Sequence, residues 1–325
     1  MIVLLLLFII LLLISDNNEF SRYFEKFKKI FDNVKEGFDT IVKNGKELLH
    51  TGLNSKPTMW IFYRTDEINS RHWKDFGSRN SRSLNMPFLN LCYTSIQYHN
   101  EHKYNIIPIM GIEEVAHLLG GWENMPMPLQ NHNEKYLEDR ELNWIMTAIL
   151  SKYGGLWVSP YTICMKPFEI CSQLTFYGSD MNENLAGEKG TLLPGFHCVY
   201  SPLPGDPFMV EWENICFKRV EHNNGGQLIR NDIKWDWISL SKKYNYVILS
   251  RSEGSRKKDR TRLQIEDILS STNTIDWVDY ETVYVPIYYK ELRMFRNFIW
   301  FIRISEEQIM LSNTAIKRLL DISLQ

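Results

Sequence analysis

Leu150-Ser151-Lys152-Tyr153-Gly154-Gly155-Leu156-Trp157-Val158 is the stretch that decides the fold. Before it, Leu142, Ile145, Met146, Ile149 and Leu150 recur at three- and four-residue spacing, which predicts a long helix from Leu137 to Tyr153. Gly154-Gly155 ends that helix, as glycine does where the backbone must turn left-handed. Leu156-Trp157-Val158 reads as a short buried strand, broken by Ser159-Pro160. Upstream, Thr58 to Tyr63 follows Pro57 as a first strand. Residues 86–99 read as a helix with Pro87 in its first turn, and Tyr104 to Met110 as a second strand. Downstream, Leu174 to Tyr177, Phe196 to Tyr200 and Tyr246 to Leu249 are further strands. Pro202, Pro204 and Pro207 mark a loop before a helix from Phe208 to Lys218. From about Lys290 the apolar spacing of Leu292, Phe295, Phe298, Ile299 and Ile302 is helical. Strands alternating with helices imply an α/β body with a parallel-rich sheet of Rossmann type. Ligands bind such sheets beyond the carboxyl ends of the strands, so chemistry is expected after Val158.

Composition narrows the function classes. The 325 residues are 44% hydrophobic and 23% charged, which excludes a disordered or multi-span membrane chain. Lys+Arg total 37 against 39 Asp+Glu, a net charge of −2, without the basic excess of a dedicated nucleic-acid binder. Ten Trp and sixteen Tyr suit a large core or a carbohydrate-facing cleft. The cysteines, at 92, 164, 171, 198 and 216, are odd in number and lack a CxxC, so neither a zinc site nor a disulfide framework is implied. A single Cys164–Cys171 bridge is left open. No GxGxxG, P-loop, HExxH or G-x-S-x-G occurs. Arg251 to Arg262 carries six basic residues, a solvated loop or a contact for phosphate, acidic glycan or membrane.

Residues 1–14 are almost pure Leu, Ile, Val and Phe, about 21 Å as a helix against a ~30 Å hydrocarbon core. With no basic residue before the run and no small-residue cleavage site after it, we expect an uncleaved single-pass signal anchor. Arg22, Lys26, Lys28 and Lys29 follow it and favour a cytosolic body, whereas a lumenal transferase carries the opposite bias, so the side of the membrane stays open. Phe20, Phe24, Phe27, Phe31, Val34, Phe38 and Ile41 alternate steps of four and three. That heptad seam pairs with a second copy, lies on the membrane interface or docks on the chain's own domain. The expected organisation is an anchor at 1–14, an amphipathic helical stem and linker at 15–56, and a catalytic-type body at 57–325.

The helix–Tyr-Gly-Gly–strand unit resembles the "LYKYGGIYLD" segment of sugar transferases with a DxD motif. The families it resembles are the capsular polysaccharide synthesis family and, beside it, the yeast-type initiating α-1,6-mannosyltransferases. Pro57 to Tyr63 resembles their opening strand. Pro87 with Cys92, Ser95, His99 and Asn100 resembles their next helix, and Pro204-Gly205-Asp206-Pro207-Phe208 their "PGHPF" loop. The resemblance covers roughly residues 57–220. It implies a GT-A-like fold, a nucleotide-sugar donor and a glycan acceptor. In the family a divalent cation, Mn2+ or Mg2+, held by the DxD carboxylates bridges the leaving diphosphate. Here that position reads Ser159-Pro160-Tyr161, and the family's "SDxxR" positions read Asn143 and Met146, so no metal ligand is assigned.

Three functions follow: a metal-independent hexosyltransferase, a degenerate transferase that binds glycan or a partner without turnover, and a structural α/β protein in which Tyr-Gly-Gly only caps a helix. In the first, Arg140, Lys152, Lys166 or His197 would neutralise the diphosphate. The resemblance makes Trp60, Tyr63, Asn143, Gly155, Ser159 and Tyr161 the donor-binding set, with core packing as the competing role of Trp60 and Tyr63. Asp180 and Asp206 are the candidates for the base that deprotonates an acceptor hydroxyl, or else solvated loop aspartates. Glu221 to Gly226 is a candidate lid.

Overall fold

β1 (Thr58–Tyr63) is buried along nearly its whole length on both faces, the mark of a central strand in a sheet covered on two sides. In the computed structural model, Trp60 and Phe62 join an apolar cluster on one face, while Tyr63 lies beside Cys92 and Tyr93 on the other. The structure describes residues 56–64, 67, 84, 86–130, 137, 139–180, 193–222, 229–257, 261–269, 275, 277–288, 291–292 and 296–325. The anchor at 1–14, the heptads at 20–41 and most of the candidate lid lie outside these. Among the described residues no helix is long and apolar enough to cross a membrane. Ser55–Gln325 forms one compact unit.

In chain order, β1 leads to α1 (Pro87–Asn100), β2 (Asn105–Met110), α2 (Ile112–Leu119), a short α3 (Met127–Gln130) and α4 (Asp139–Tyr153). Then come β3 (Gly155–Val158), β4 (Thr162–Cys164), β5 (Thr175–Asp180), β6 (Leu193–Ser201), α5 (Pro207–Glu221) and α6 (Ile229–Leu240). The described elements close with β7 (Val247–Leu249), α7 (Ile265–Leu269), β8 (Tyr284–Pro286), a 3-10 turn at Arg296–Ile302, α8 (Glu306–Leu311) and α9 (Ala315–Ser323).

Six strands form one sheet in the order β2-β1-β3-β6-β5-β7. β1 pairs in parallel with β2 and β3, and β5 with β7. β6 runs against both β3 and β5. The sheet is therefore mixed: three of its five pairings are parallel, which agrees with the expected parallel-rich arrangement, and β6 alone runs against its neighbours. A connection of some dozen residues through a helix is needed to return a chain in parallel. No helix separates β5 from β6 among the described residues, and they pair antiparallel.

α4, α5 and α6 cover the face that holds Trp60 and Phe62. Phe176 packs there against Trp237 at 5.1 Å and Trp212 at 6.3 Å between ring centroids. Arg219 of α5 forms two hydrogen bonds to the Asp236 carboxylate of α6, at 2.7 and 2.6 Å, and fixes that helix pair. The opposite face carries α1 and a second, two-stranded sheet of β4 and β8. Cys164 N donates to Ser95 Oγ at 2.9 Å and Ser323 Oγ to the Cys164 carbonyl at 2.6 Å, so α1, β4 and α9 lock together. All five cysteines are free, which closes the Cys164–Cys171 alternative. Three cations of the basic run are ion-paired, Arg251–Glu281, Lys257–Asp267 and Arg262–Glu291, while Lys258 and Arg260 lie outside the described residues.

Gly154 and Gly155 have φ of 65° and 92°, the left-handed region the helix stop required. A Cβ on Gly155 would overlap the Thr58 carbonyl oxygen. Trp60 Nε1 donates to the Gly154 carbonyl at 2.9 Å, and Gly205 N donates to the Ser151 carbonyl at 2.7 Å. The Pro204–Phe208 loop is therefore seated on the Tyr-Gly-Gly turn, and two motifs 50 residues apart in sequence are one structural joint.

Candidate functional site

The strand order marks where a ligand would lie. The chain leaves β1 for β2 on one side and reaches β3 on the other, so connections depart in opposite directions from the β1/β3 pair. The crevice beyond the carboxyl ends of such a pair is the binding position of open α/β sheets. Those ends are Tyr63-Arg64 on β1 and Ser159-Pro160-Tyr161 after β3.

Arg64 crosses this switch point. Its Nη2 donates to Tyr161 Oη at 3.1 Å, and its Nε pairs with Glu67 Oε1 at 2.8 Å. Glu67 is fully buried and also accepts from Arg64 N at 3.0 Å. The guanidinium is thus held at the end of β1 by a carboxylate behind it and a phenol across it. Tyr161 stacks on Phe88 of α1 with centroids 6.3 Å apart. Ser159, half-buried, donates its N–H to the His197 carbonyl of β6 at 2.7 Å, and its Oγ accepts from Tyr161 N at 3.4 Å. His197 is half-buried at the same edge.

Tyr63 is fully buried, and its hydroxyl has no hydrogen-bond partner among the described residues. Burial, with Tyr93, Cys92 and Glu67 nearby, holds that phenol far above its ordinary range, so it stays neutral. Its ring faces α1, not an open surface.

The remaining expectations fall in other places. Trp60 is wholly buried with its indole N–H committed to Gly154, which is the packing role rather than base stacking. Gly155 lies at the amino end of β3, where its missing side chain admits Thr58. Asn143 is buried between helices and donates to Cys216 Sγ at 3.4 Å. Asp206 is the N-cap of α5, its Oδ1 accepting from Phe208 N at 3.0 Å and Met209 N at 3.3 Å. Because β6 runs antiparallel, the loop after it emerges at the amino edge, opposite Ser159. Asp206 therefore caps α5 on the side of the sheet away from Ser159. Asp180 ends β5 opposite Leu193, three residues beyond the Tyr177–Cys198 pair, so its backbone belongs to the carboxyl edge. Of the proposed cations, Lys152 is at the amino edge, bonded to the Leu118 carbonyl at 2.9 Å, and Lys166 reaches the Tyr280 carbonyl. Arg140 lies in the first turn of α4. His197 meets the Ser159 turn through its backbone carbonyl, while its ring lies against Tyr288.

The sequence reading missed Arg64 and Glu67. The signal available was position: the residue that follows the first strand of an α/β sheet lies at its carboxyl edge. Among the described residues no three or more His, Cys, Asp or Glu side chains gather into a group that could hold a metal ion. No protein-family model matches the chain, and no curated protein matches it.

Proposed function

We propose that this chain is a GT-A-like sugar transferase that takes a hexose from a nucleotide-sugar and passes it to a glycan acceptor. The observation that carries the reading is Arg64, a guanidinium at the β1/β3 switch point, bonded to the hydroxyl of Tyr161 at the DxD-like turn. When the bond between sugar and diphosphate breaks, negative charge grows on the leaving oxygen, and a fixed cation there lowers the barrier. A guanidinium is permanently charged and matches phosphate oxygens in geometry. The side chains at 159–161 offer hydroxyls and no carboxylate, so they do not fit a divalent cation. The reading assigns the leaving-group charge to Arg64, with His197 and the Ser159 hydroxyl beside it. Residues 1–14 would tether the body to a membrane, and the 20–41 heptads would pair two copies.

A second reading is favoured by Asp206. Its carboxylate is consumed by the α5 cap, which leaves the expected acceptor base without one of its two candidates. The chain would then be a membrane-anchored glycan-binding or scaffold partner that keeps the fold and lacks turnover.

Thermal unfolding of the full chain with UDP, GDP, UDP-glucose and GDP-mannose, with and without manganese, separates these. A saturating ligand at a hundred times its Kd adds about 2.7 kcal/mol. Metal-independent stabilisation with release of nucleoside diphosphate in the presence of an oligosaccharide supports the transferase. Stabilisation without release supports the second reading. No shift with any nucleotide removes the donor site.

A further inference from the structure

Farther along the same edge the fold seats a carboxylate that the site above does not use. Glu253 follows β7 after the Ser250–Ser252 turn, and its side chain lies over the irregularity in the β5–β6 pairing. Gly178, at φ 102°, has no room for a side chain: a Cβ would overlap Glu253 Oε2. A Cβ on Gly195 of the adjoining strand would approach the same oxygen to 2.8 Å. Two glycines on neighbouring strands thus make the space this carboxylate occupies.

Two phenols orient it. Tyr284 Oη shares its proton between the Tyr177 carbonyl at 2.7 Å and Glu253 Oε2 at 3.0 Å, and Tyr288 Oη faces Oε1 at 3.4 Å. Burial, with Glu253 beside it, holds the Tyr288 phenol above its ordinary range, so it remains a donor. Glu253 is half-buried, and each oxygen keeps acceptor capacity beyond these bonds. The cluster is continuous with the Ser159 turn. Ile287 N donates to the Tyr161 carbonyl at 2.7 Å, and the Tyr288 ring meets the His197 ring at 6.1 Å.

We propose that Glu253 binds the hexose of the donor, its fixed carboxylate accepting hydrogen bonds from the sugar hydroxyls. The inference rests on the nucleotide-sugar reading and extends it to one end of the ligand. The carboxyl edge is polarised. Arg64 stands at β1, then Ser159 after β3, His197 on β6, and Glu253 against β5. β1 and β5 are three strand spacings apart, ~14 Å, enough to lay a diphosphate and a hexose end to end. A carboxylate repels phosphate and accepts from hydroxyls, while a guanidinium attracts phosphate. A nucleotide-sugar carries its charges and hydroxyls in that same order.

The test is calorimetric binding to the full chain, with UDP, GDP, UDP-glucose, GDP-mannose and the methyl hexosides as probes. Glu253→Gln is expected to weaken the nucleotide-sugar that binds wild type by about tenfold or more, and to leave UDP and GDP unchanged. Equal loss for bare nucleotide and nucleotide-sugar, or no loss for either, overturns it. If Glu253→Gln does not fold, Tyr288→Phe serves instead, with a smaller loss confined again to the sugar-bearing probes, and no loss overturns the proposal. If wild type binds no nucleotide, the donor reading fails by itself. Hexoside binding that Glu253→Gln abolishes would then still sustain the Glu253 assignment, and absent hexoside binding would end it.

Discussion

The two ends of the central sheet are built on different terms. At the amino end the Tyr-Gly-Gly turn, the Trp60 indole, the Pro204–Phe208 loop and the Asp206 cap interlock through backbone bonds and tight glycine contacts. At the carboxyl end Arg64, Ser159, Tyr161, His197 and Glu253 present side-chain polar groups, all five only partly buried. The recognisable motifs are concentrated at the end that makes structure. The carboxyl end is assembled from residues with no motif around them. The motif-bearing segments of this chain therefore report first on a structural joint, and the proposed site lies across the sheet from it.

The largest expected effect breaks the comparison from the carboxyl side. Arg64→Met strips the guanidinium from Glu67, which is fully buried, and should cost about 3–5 kcal/mol in urea unfolding. Arg64→Met with Glu67→Gln should recover most of that stability while still losing nucleotide stabilisation. Full recovery of both would mean the pair only braces the strand. Next, Gly155→Ala forces a Cβ into the Thr58 carbonyl at a left-handed φ and should cost about 3 kcal/mol. A small loss there would show that the joint yields. Asp206→Ala should cost about 1 kcal/mol through the lost cap and leave nucleotide affinity untouched. If affinity falls instead, the two ends communicate and the division made above is wrong.

The smallest effect is a pH dependence. His99, whose Nε2 meets the Ser323 carbonyl at 2.8 Å, is held below its ordinary value of 6.5 by burial, against the raising effect of that bond. The unfolded chain takes up the proton first, so stability is complete above 6.5 and falls as pH drops through it. His99→Gln should flatten that slope in thermal melts between pH 7 and pH 5. An unchanged slope assigns it to other groups.

Local patterns carried much of this architecture. β1, β2, β3 and α4 were legible because each is a short apolar run or a 3.6-residue stripe bounded by Gly or Pro. α6, with the sequence Ile229-Arg-Asn-Asp-Ile-Lys-Trp-Asp-Trp-Ile-Ser-Leu240, was missed because its polar residues hide the stripe. The β4–β8 sheet was missed because a three-residue strand has no periodicity, and its partner comes from the far end of the chain. Ser159 and Tyr161 were singled out by the DxD likeness, and the rule for parallel strands puts the segment after Val158 at the same edge. Asp206 is not at that edge, since a single antiparallel strand sends its following loop to the other edge. Glu253 was hidden inside a basic run. Its only trace was an isolated glycine within each of two strands, which marks a bulge or a close approach.

The β4–β8 ladder has a consequence for how the protein is made. Thr162–Cys164 finds its partner in Tyr284–Pro286, roughly 120 residues later, on the order of ten seconds of synthesis. During that interval the first strands can pair, yet Thr162–Cys164 beside the Ser159 turn lacks its β8 partner. High contact order of this kind slows folding and leaves a strand edge open. A nascent chain stalled before residue 284 should therefore be a client of chaperones, with Thr162–Cys164 the segment they cover.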